Sequence, residues 1–335
     1  MTKKTILMLG AQGVLGRFTA SALQAAGHKV YRAGRRTEDS ADFRCVDLDR
    51  METLTAALQG IDLVVSTIED PQVRAELAIL RQGGVLLSAA TIPAGARRLL
   101  DAEAAKGAIG TVVTNSGFSG VGALVVKDLL EQFPKADEVE MAYVVSTSGS
   151  SGLTGARYGY RLLTEVAGMR TARLTFSPPR GARWCFDLSD NDEVWMSPKM
   201  LGKRKLRPHL TIAEKGLNGF LMLLNRLRIL QHLPEAALTT APKLKPAPSA
   251  LSREPMRARL AVYQGKQLLA ARGLESEGDY HSTVQATTVF AGHLLALRDQ
   301  GVISPGICGV EDLFHMKDLQ TELNADRIYV RPLTE

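Results

Sequence analysis

Short apolar runs alternate with helical periodicity along the first third of the chain. Six runs are typical of buried strands: Thr5–Leu9, His28–Ala33, Phe43–Val46, Ile61–Ser66, Gly84–Ser88 and Ile109–Thr114. Helices are predicted between them, over residues 17–26, 51–59 and 94–106 and after Pro71. This regular alternation predicts an α/β fold, with a doubly wound parallel sheet, or Rossmann domain, over residues 1–122.

A glycine turn joins the first predicted strand to the first predicted helix. It reads Gly10-Ala-Gln12-Gly13-Val14-Leu15-Gly16. In such turns the first glycine permits a tight bend, the second lets the backbone approach a pyrophosphate, and the third allows close helix packing. The free N–H groups of the helix N-terminus favour the same anion. The position of the turn predicts a dinucleotide site, and a glycine-rich turn without a ligand is the alternative.

The second strand ends in Gly34-Arg35-Arg36, about 20 residues past the glycine turn. A site that prefers NAD usually has a carboxylate here for the ribose 2′-hydroxyl. Guanidinium groups instead bind a 2′-phosphate and stack on adenine. The sequence therefore favours NADP(H) over NAD(H), with two exposed loop arginines as the alternative.

Further cofactor contacts are expected where other strands end. Asp47 is a candidate acceptor for the adenine amino group, and Leu48 follows it. Ligands of such sheets lie beyond the carboxyl ends of the strands. That rule places four more residues near the cofactor: Thr67, Ile68, Ser88 and Asn115.

The second half predicts an α+β domain. Val139–Ser146 and residues 182–188 are typical of strands, and Met256–Tyr263 with Leu268–Leu274 predicts a hairpin. We expect an antiparallel sheet in a substrate or dimerisation domain over residues 123–279. Residues 280–335 are then C-terminal helices that return to the first domain.

Candidate catalytic residues are fewer in this half. Arg157 and Tyr158 open a predicted helix over residues 156–168, after a Ser/Gly stretch at 146–155 that is either a substrate loop or a flexible linker. Tyr158 is the candidate proton donor and Arg157 the candidate anion contact. Surface or interface packing is the alternative for both side chains.

The net charge of +6 is uneven, since residues 1–140 carry −1 and the remainder +7. Five basic residues lie within Lys199–Arg207, ahead of an amphipathic helix predicted over Gly216–Leu233. Membrane-surface contact or a lipid-like substrate is possible there. A dimer interface or a domain core is the favoured interpretation, and the basic half also suits an ordinary solvated surface.

Composition narrows the remaining classes. The three cysteines are far apart, without CxxC or metal-ligand spacing, so no metal site or disulfide framework is predicted. No apolar stretch has the length of a membrane span, and the early glycines argue against a secretory signal. No basic helix suited to a nucleic-acid groove is present. We expect a cytoplasmic protein that forms a homodimer and binds a small-molecule substrate, with no nucleic-acid partner.

Several segments together resemble the saccharopine dehydrogenase-like oxidoreductases. They are the glycine turn, Ala33-Gly-Arg-Arg36, Cys45-Val-Asp-Leu48, Asp62-Leu-Val-Val-Ser-Thr67, Asn115-Ser-Gly-Phe-Ser-Gly120 and the C-terminal Gly301-Val-Ile-Ser-Pro-Gly306. The resemblance implies a nicotinamide-dependent oxidoreductase. The chain departs from the family in two places. The family often has Asp after its fifth strand, where this chain reads Leu87-Ser88-Ala89-Ala90, and it usually has Pro before the glycine of Phe118-Ser119-Gly120, where this chain has none.

Three functions remain open. The first is NADP(H)-dependent hydride transfer to or from an imine, a secondary amine or a similar polarised double bond. The second is an enoyl reductase for lipid-like chains, and the third is an NADP(H)-sensing regulator without chemistry. A short-chain dehydrogenase needs Lys four residues after its catalytic Tyr. Leu162 occupies that position after Tyr158, which argues against this class of enzyme.

Overall fold

The computed structural model describes residues 3–36, 38–115, 119–146, 153–177, 181–236, 250–251, 254–325 and 327–333. The strands, numbered in chain order, are β1 Thr5–Leu9, β2 Lys29–Gly34, β3 Phe43–Cys45, β4 Leu63–Ser66, β5 Gly84–Ser88, β6 Gly110–Thr114, β7 Glu138–Val145, β8 Thr171–Phe176, β9 Gly181–Asp187, β10 Lys205–Ile212, β11 Pro255–Gln264, β12 Gln267–Glu277, β13 Gly306–Gly309 and β14 Ile328–Pro332.

The α-helices are α1 Val14–Ala25, α2 Met51–Ala57, α3 Arg74–Gln82, α4 Ala94–Ala104, α5 Val121–Gln132, α6 Leu153–Thr164, α7 Pro198–Leu201, α8 Lys215–Arg226, α9 Asp279–Asp299, α10 Val310–Leu313 and α11 Met316–Ala325. A short 3₁₀ turn follows α8 at Leu230–His232. Within the described residues, no helix combines the length and apolar character needed to cross a bilayer.

The chain folds into two compact units. Unit 1 comprises Met1–Ala123, Asp192–Ser197 and Thr283–Phe314, and unit 2 comprises Leu124–Asn191, Pro198–Ser282 and His315–Glu335. The C-terminal part of the chain is therefore divided, because β13 joins the sheet of unit 1 and β14 joins that of unit 2.

Unit 1 is a doubly wound sheet of seven parallel strands in the order β13-β6-β5-β4-β1-β2-β3. The strands are buried on both faces, which explains their continuous apolar runs; Ile6, Leu7 and Met8 of β1 are fully buried. The strand order reverses direction between β1 and β4, and ligands bind at such a switch point. The predicted Rossmann fold is confirmed, with β13 as an additional strand.

Unit 2 contains a seven-stranded sheet in the order β14-β12-β11-β7-β10-β9-β8. The predicted hairpin is present as β11 and β12. The sheet is mixed instead of purely antiparallel, because β10 pairs in parallel with β7 while the other pairs are antiparallel. The basic composition of Lys199–Arg207 concealed β10, which begins at Lys205 and is buried only from Pro208 onward.

Candidate functional site

The glycine turn after β1 has the backbone that its sequence demands. Gly10 has φ +80°, and the Gly13 amide donates to the Gly10 carbonyl at 2.9 Å. A Cβ on Gly16 would lie 2.6 Å from the Gly10 carbonyl carbon, far inside van der Waals contact. The turn therefore depends on the absence of side chains at Gly10 and Gly16.

Helix α1 begins at this turn with its N-terminus uncapped by any side chain. Gly13 is the N-cap residue, and the first turn holds no acidic residue. By helix geometry, the amides of Val14, Leu15 and Gly16 have no acceptor inside the helix. These donors and the positive end of the helix dipole form an anion site of the kind that holds a pyrophosphate.

The end of β4 borders the turn at the switch point. The Thr67 hydroxyl donates to the Leu9 carbonyl at 3.2 Å. A Cβ on Gly10 would lie 2.7 Å from the Thr67 hydroxyl oxygen and 3.1 Å from a side-chain carbon of Ile68. Thr67 and Ile68, both half-buried, thus lie directly against the glycine turn.

Ser88 and Asn115 follow the next two strands, and both side chains are buried in unit 1. The Ser88 hydroxyl donates to Glu76 of α3 at 3.3 Å. The Asn115 amide donates to Thr287 of α9 at 3.1 Å. Each side chain therefore has a hydrogen-bond partner within the protein.

An open cleft of about 440 Å³ lies beside the glycine turn. Four arginines line it: Arg32 in β2, Arg35 and Arg36 directly after β2, and Arg17 in α1. The other lining residues are Ala11, Gln12 and Glu38. Arg35 and Arg36 are exposed to solvent. Gln12, Arg35 and Arg36 are among the predicted cofactor contacts, whereas the other four lining residues were not predicted. Arg17 could have been predicted from the sequence, because it directly follows Gly16, the last glycine of the turn.

Gln12 connects the glycine turn to the segment after β2. Its amide nitrogen donates to the Arg36 carbonyl at 2.8 Å and to the Glu38 carboxylate at 3.2 Å. A Cβ on Gly34 would lie 2.7 Å from the amide carbon of Gln12. A side chain at position 34 would therefore displace the Gln12 side chain from this position.

Glu38 places a carboxylate in the cleft that the sequence prediction did not consider. Its carboxylate lies 2.8 Å from the Arg32 guanidinium. Glu38 thus neutralises one of the four arginines and leaves the cleft with a net positive charge.

Asp47 and Leu48, two further predicted cofactor contacts, lie after β3. Leu48 is in the core, and the half-buried Asp47 carboxylate accepts from the Asp49 amide at 3.2 Å.

Two carboxyl groups of unit 1 are almost fully buried. Burial raises the pKa of Glu76 to about 7, although the Ser88 hydroxyl bond acts in the opposite direction. Burial likewise raises the pKa of Glu311 to about 7, while the Ser197 amide donates to that carboxyl at 2.6 Å. Neither residue was predicted from the sequence, since an isolated glutamate in a helix gives no sign of burial.

The candidate catalytic residues lie on α6 of unit 2. Arg157 is about half exposed and forms an ion pair with Glu235 at 2.9 Å. Tyr158 has the Arg161 guanidinium 5.5 Å from its ring centroid. Of the Ser/Gly stretch before α6, residues 147–152 lie outside the described residues, as do Ser116, Gly117 and Phe118 of the Asn115–Gly120 motif.

Unit 2 also brings together Asp128, Glu131 and His315, with possible ligand atoms within 4.8 Å of one another. The Glu131 carboxylate lies 3.5 Å from the His315 ring and is half exposed. Such acidic surface groups commonly occur without an ion, and we assign no metal to them.

Comparison with known proteins agrees with this geometry. The model of the NAD dependent epimerase/dehydratase family matches residues 6–80, which span β1 to α3 and include the glycine turn. The prediction of a nicotinamide-dependent enzyme agrees with that match. No curated protein sequence matches the chain significantly.

Two solved structures are similar over most of the chain. A multiply substituted meso-dapdh from Clostridium tetani E88, solved with DAP, has 13% identity and a TM-score of 0.47, covering 96% of this chain and 100% of its own. A dipicolinate-bound dihydrodipicolinate reductase from Paenisporosarcina sp. TG-14 has 10% identity and a TM-score of 0.44, covering 93% and 100%. Since both TM-scores are below 0.5, we base no functional argument on them.

Proposed function

We propose that this protein is an NADP(H)-dependent oxidoreductase of the saccharopine dehydrogenase-like type. It would transfer hydride to or from an imine, a secondary amine or a similar polarised double bond of a small substrate. The observation that carries the proposal is the cleft in which four arginines lie beside an uncapped helix N-terminus and a glycine turn. The sequence motifs that resemble this family support the choice of substrate class.

The pyrophosphate of the cofactor fits the first turn of α1. Gly10, Gly13 and Gly16 remove the side chains that would block it, and the first-turn amides of α1 supply donors. When bound, a nicotinamide cofactor supplies the hydride chemistry, while the protein supplies position and electrostatics. Thr67 and Ile68 at the switch point would border its further course along the strand ends.

The preference for NADP(H) rests on charge in the cleft. Arg35 and Arg36 are exposed and directly follow β2, where a 2′-phosphate is expected. Guanidinium groups bind phosphate through paired hydrogen bonds. Glu38 would favour a ribose hydroxyl, but its carboxylate is engaged by Arg32 and Gln12. The free arginine charge therefore outweighs the single carboxylate.

Tyr158 is proposed as the proton donor and Arg157 as the contact for an anionic substrate group. The Arg161 guanidinium lies 5.5 Å from the centroid of the Tyr158 ring, so a cation is present beside the proposed donor. The ion pair between Arg157 and Glu235 is solvent-exposed, and such pairs contribute little stability. Arg157 can therefore exchange Glu235 for a substrate carboxylate at small cost.

Titration with NADPH and with NADH, followed by nicotinamide fluorescence, tests the cofactor assignment. Arg35→Ala is expected to weaken NADPH binding at least about tenfold, the loss of one charge-assisted phosphate contact, and to leave NADH binding unchanged. Arg50→Ala is the matched control, because Arg50 is an exposed arginine of unit 1 outside the cleft. Binding of neither nucleotide would refute the proposal.

Steady-state kinetics with imine-forming keto-acid and amine pairs tests the catalytic residues. Tyr158→Phe should lower kcat while NADPH affinity stays unchanged, and Arg157→Met should mainly raise the KM for the anionic substrate. Full activity of both variants would exclude these two roles and leave the cofactor assignment standing.

A further inference from the structure

Helix α8 buries polar as well as apolar side chains, namely Asn218, Leu221 and Asn225. Its buried side carries two asparagines that bond to neighbouring backbone. Asn218 accepts from the Ile212 amide at 3.0 Å and donates to the Trp184 carbonyl at 3.0 Å. Asn225 donates to the Met169 carbonyl at 2.8 Å. Polar side chains thus help to fix this helix to unit 2, and three directional hydrogen bonds set its orientation.

The outward side of α8 is apolar. Phe220, Leu223 and Leu227 occur at helical spacing and are 55%, 53% and 57% exposed. Ile229, just past the helix, is 45% exposed. We call these four residues, Phe220, Leu223, Leu227 and Ile229, the apolar face.

Single exposed apolar residues are ordinary, whereas a contiguous group of this kind marks an interaction surface. The hydrogen bonds of Asn218 and Asn225 hold α8 in this orientation. Rotation of the helix to bury the leucines would break them and leave buried polar groups without partners, which is costly. The exposure is therefore built into the fold of unit 2.

Basic residues flank the apolar face along the chain, and we call them the cationic rim. Lys215, Arg226 and Arg228 lie on or directly after α8. All three are exposed, and none of them forms an ion pair with another described residue. No Asp or Glu occurs between Lys215 and Pro234. By contrast, Arg157, Arg170 and Arg207 of the same unit pair with carboxylates.

We propose that the apolar face binds the surface of an anionic lipid membrane. Apolar and aromatic side chains would enter the boundary between headgroups and acyl chains, and the cationic rim would contact anionic headgroups. A second copy of the chain fits less well, because two such rims would place positive charge against positive charge. The inference is independent of the proposed hydride transfer.

Flotation of the full-length protein with phosphatidylcholine vesicles, with and without phosphatidylserine, tests the proposal. The protein should float only with vesicles that contain phosphatidylserine, and salt near 1 M should release it because it screens the charges. Leu223→Gln and Arg226→Glu should each reduce the partition coefficient at least about tenfold.

Matched controls separate this surface from general stickiness. Leu99→Gln removes an equally exposed leucine of unit 1 (54%), and Lys317→Glu reverses an exposed charge on α11. Both should float like the unaltered protein. Binding that Leu99→Gln reduces as much as Leu223→Gln would overturn the proposal.

Sedimentation velocity of the same variants tests the alternative, that a second copy of the chain covers the apolar face. If the protein forms a dimer that Leu223→Gln dissociates, and does not float with anionic vesicles, the face is an interface of the predicted homodimer and the lipid proposal is wrong. The absence of both flotation and dimerisation would also refute it. Circular dichroism verifies that each variant is folded.

Discussion

The carbonyl group of Gly10 occupies the space that a side chain on Gly16 would need. A Cβ on Gly16 would lie 2.6 Å from the carbonyl carbon and 3.0 Å from the Ala11 Cα, and both neighbours are backbone atoms. Neither can move without displacement of the turn between β1 and α1. The first turn of α1 can therefore pack this closely against the end of β1 only because residue 16 has no side chain.

Gly16→Ala should consequently weaken nucleotide binding, in a protein that still folds. We expect NADPH affinity to fall at least about tenfold, since the helix amides would no longer face the pyrophosphate. Gly292→Ala is the control: Gly292 lies within α9 of unit 1, and a Cβ there meets no heavy atom within 4 Å. Equal NADPH affinity in both variants would contradict this role of the turn.

Removal of the Glu38 carboxylate should sharpen the preference for NADPH. In Glu38→Gln, Arg32 loses its partner at 2.8 Å and becomes available to a phosphate. We expect several-fold tighter NADPH binding and little change for NADH, with the gain lost at high salt. Asp39→Asn, an exposed neighbour outside the cleft, should change neither affinity. Tighter binding of both nucleotides would indicate that the effect comes from the overall charge of the cleft and not from a contact with the 2′-phosphate.

Features that short stretches of sequence encode, such as the glycine turn, could be predicted. Features that depend on contacts between distant residues, such as the lining of the cleft, could not. Gly10, Gly13 and Gly16 were recognisable because turn, strand and helix signals coincide within a few residues. Arg32 and Glu38 were not, because membership of the cleft depends on how β2 and the following segment are placed against Gln12. The hydrogen bond from Ser88 to buried Glu76 was not predicted either, because the two residues are twelve positions apart on different elements.

Strand partners were similarly beyond local patterns. The parallel pairing of β10 with β7 joins residues about 70 positions apart, with Lys205 opposite Glu138. The strand β13 pairs with β6 across nearly 200 positions, Gly306 opposite Thr111. Nothing in a short window indicates such a partner, so the alternation of strands and helices predicted the fold class but not the sheet edges.

The buried carboxyl of Glu76 should make unit 1 more stable in mild acid than in base. Its pKa is about 7 in the folded protein against 4.5 when exposed, so the folded state binds the proton more tightly. The contribution is complete below pH 4.5 and declines as the pH rises to about 7, by about 3 kcal/mol. Chemical unfolding at pH 5 and pH 8 measures this difference.

Glu76→Gln should flatten that dependence, because the amide resembles the protonated carboxyl and still accepts from Ser88. The variant should unfold at higher denaturant than the unaltered protein at pH 8 and at a similar concentration at pH 5. Glu311, whose pKa is also raised to about 7, should maintain part of the slope. The exposed Glu52→Gln serves as control. A variant that is less stable at pH 8 would disprove the burial argument.

The sheet of unit 2 encloses an ion pair between Arg259 and Glu140, 2.9 Å apart and almost fully buried. Arg259→Met leaves the carboxylate buried without its cation, and we expect a loss of about 3–5 kcal/mol in the free energy of unfolding. Combination with Glu140→Gln should recover much of it, because no uncompensated charge then remains and the Tyr263 hydroxyl can still donate to residue 140. A double-mutant cycle from urea unfolding measures the coupling. If the two losses simply add, the pair has no special coupling and packing of the long Arg259 side chain accounts for its burial.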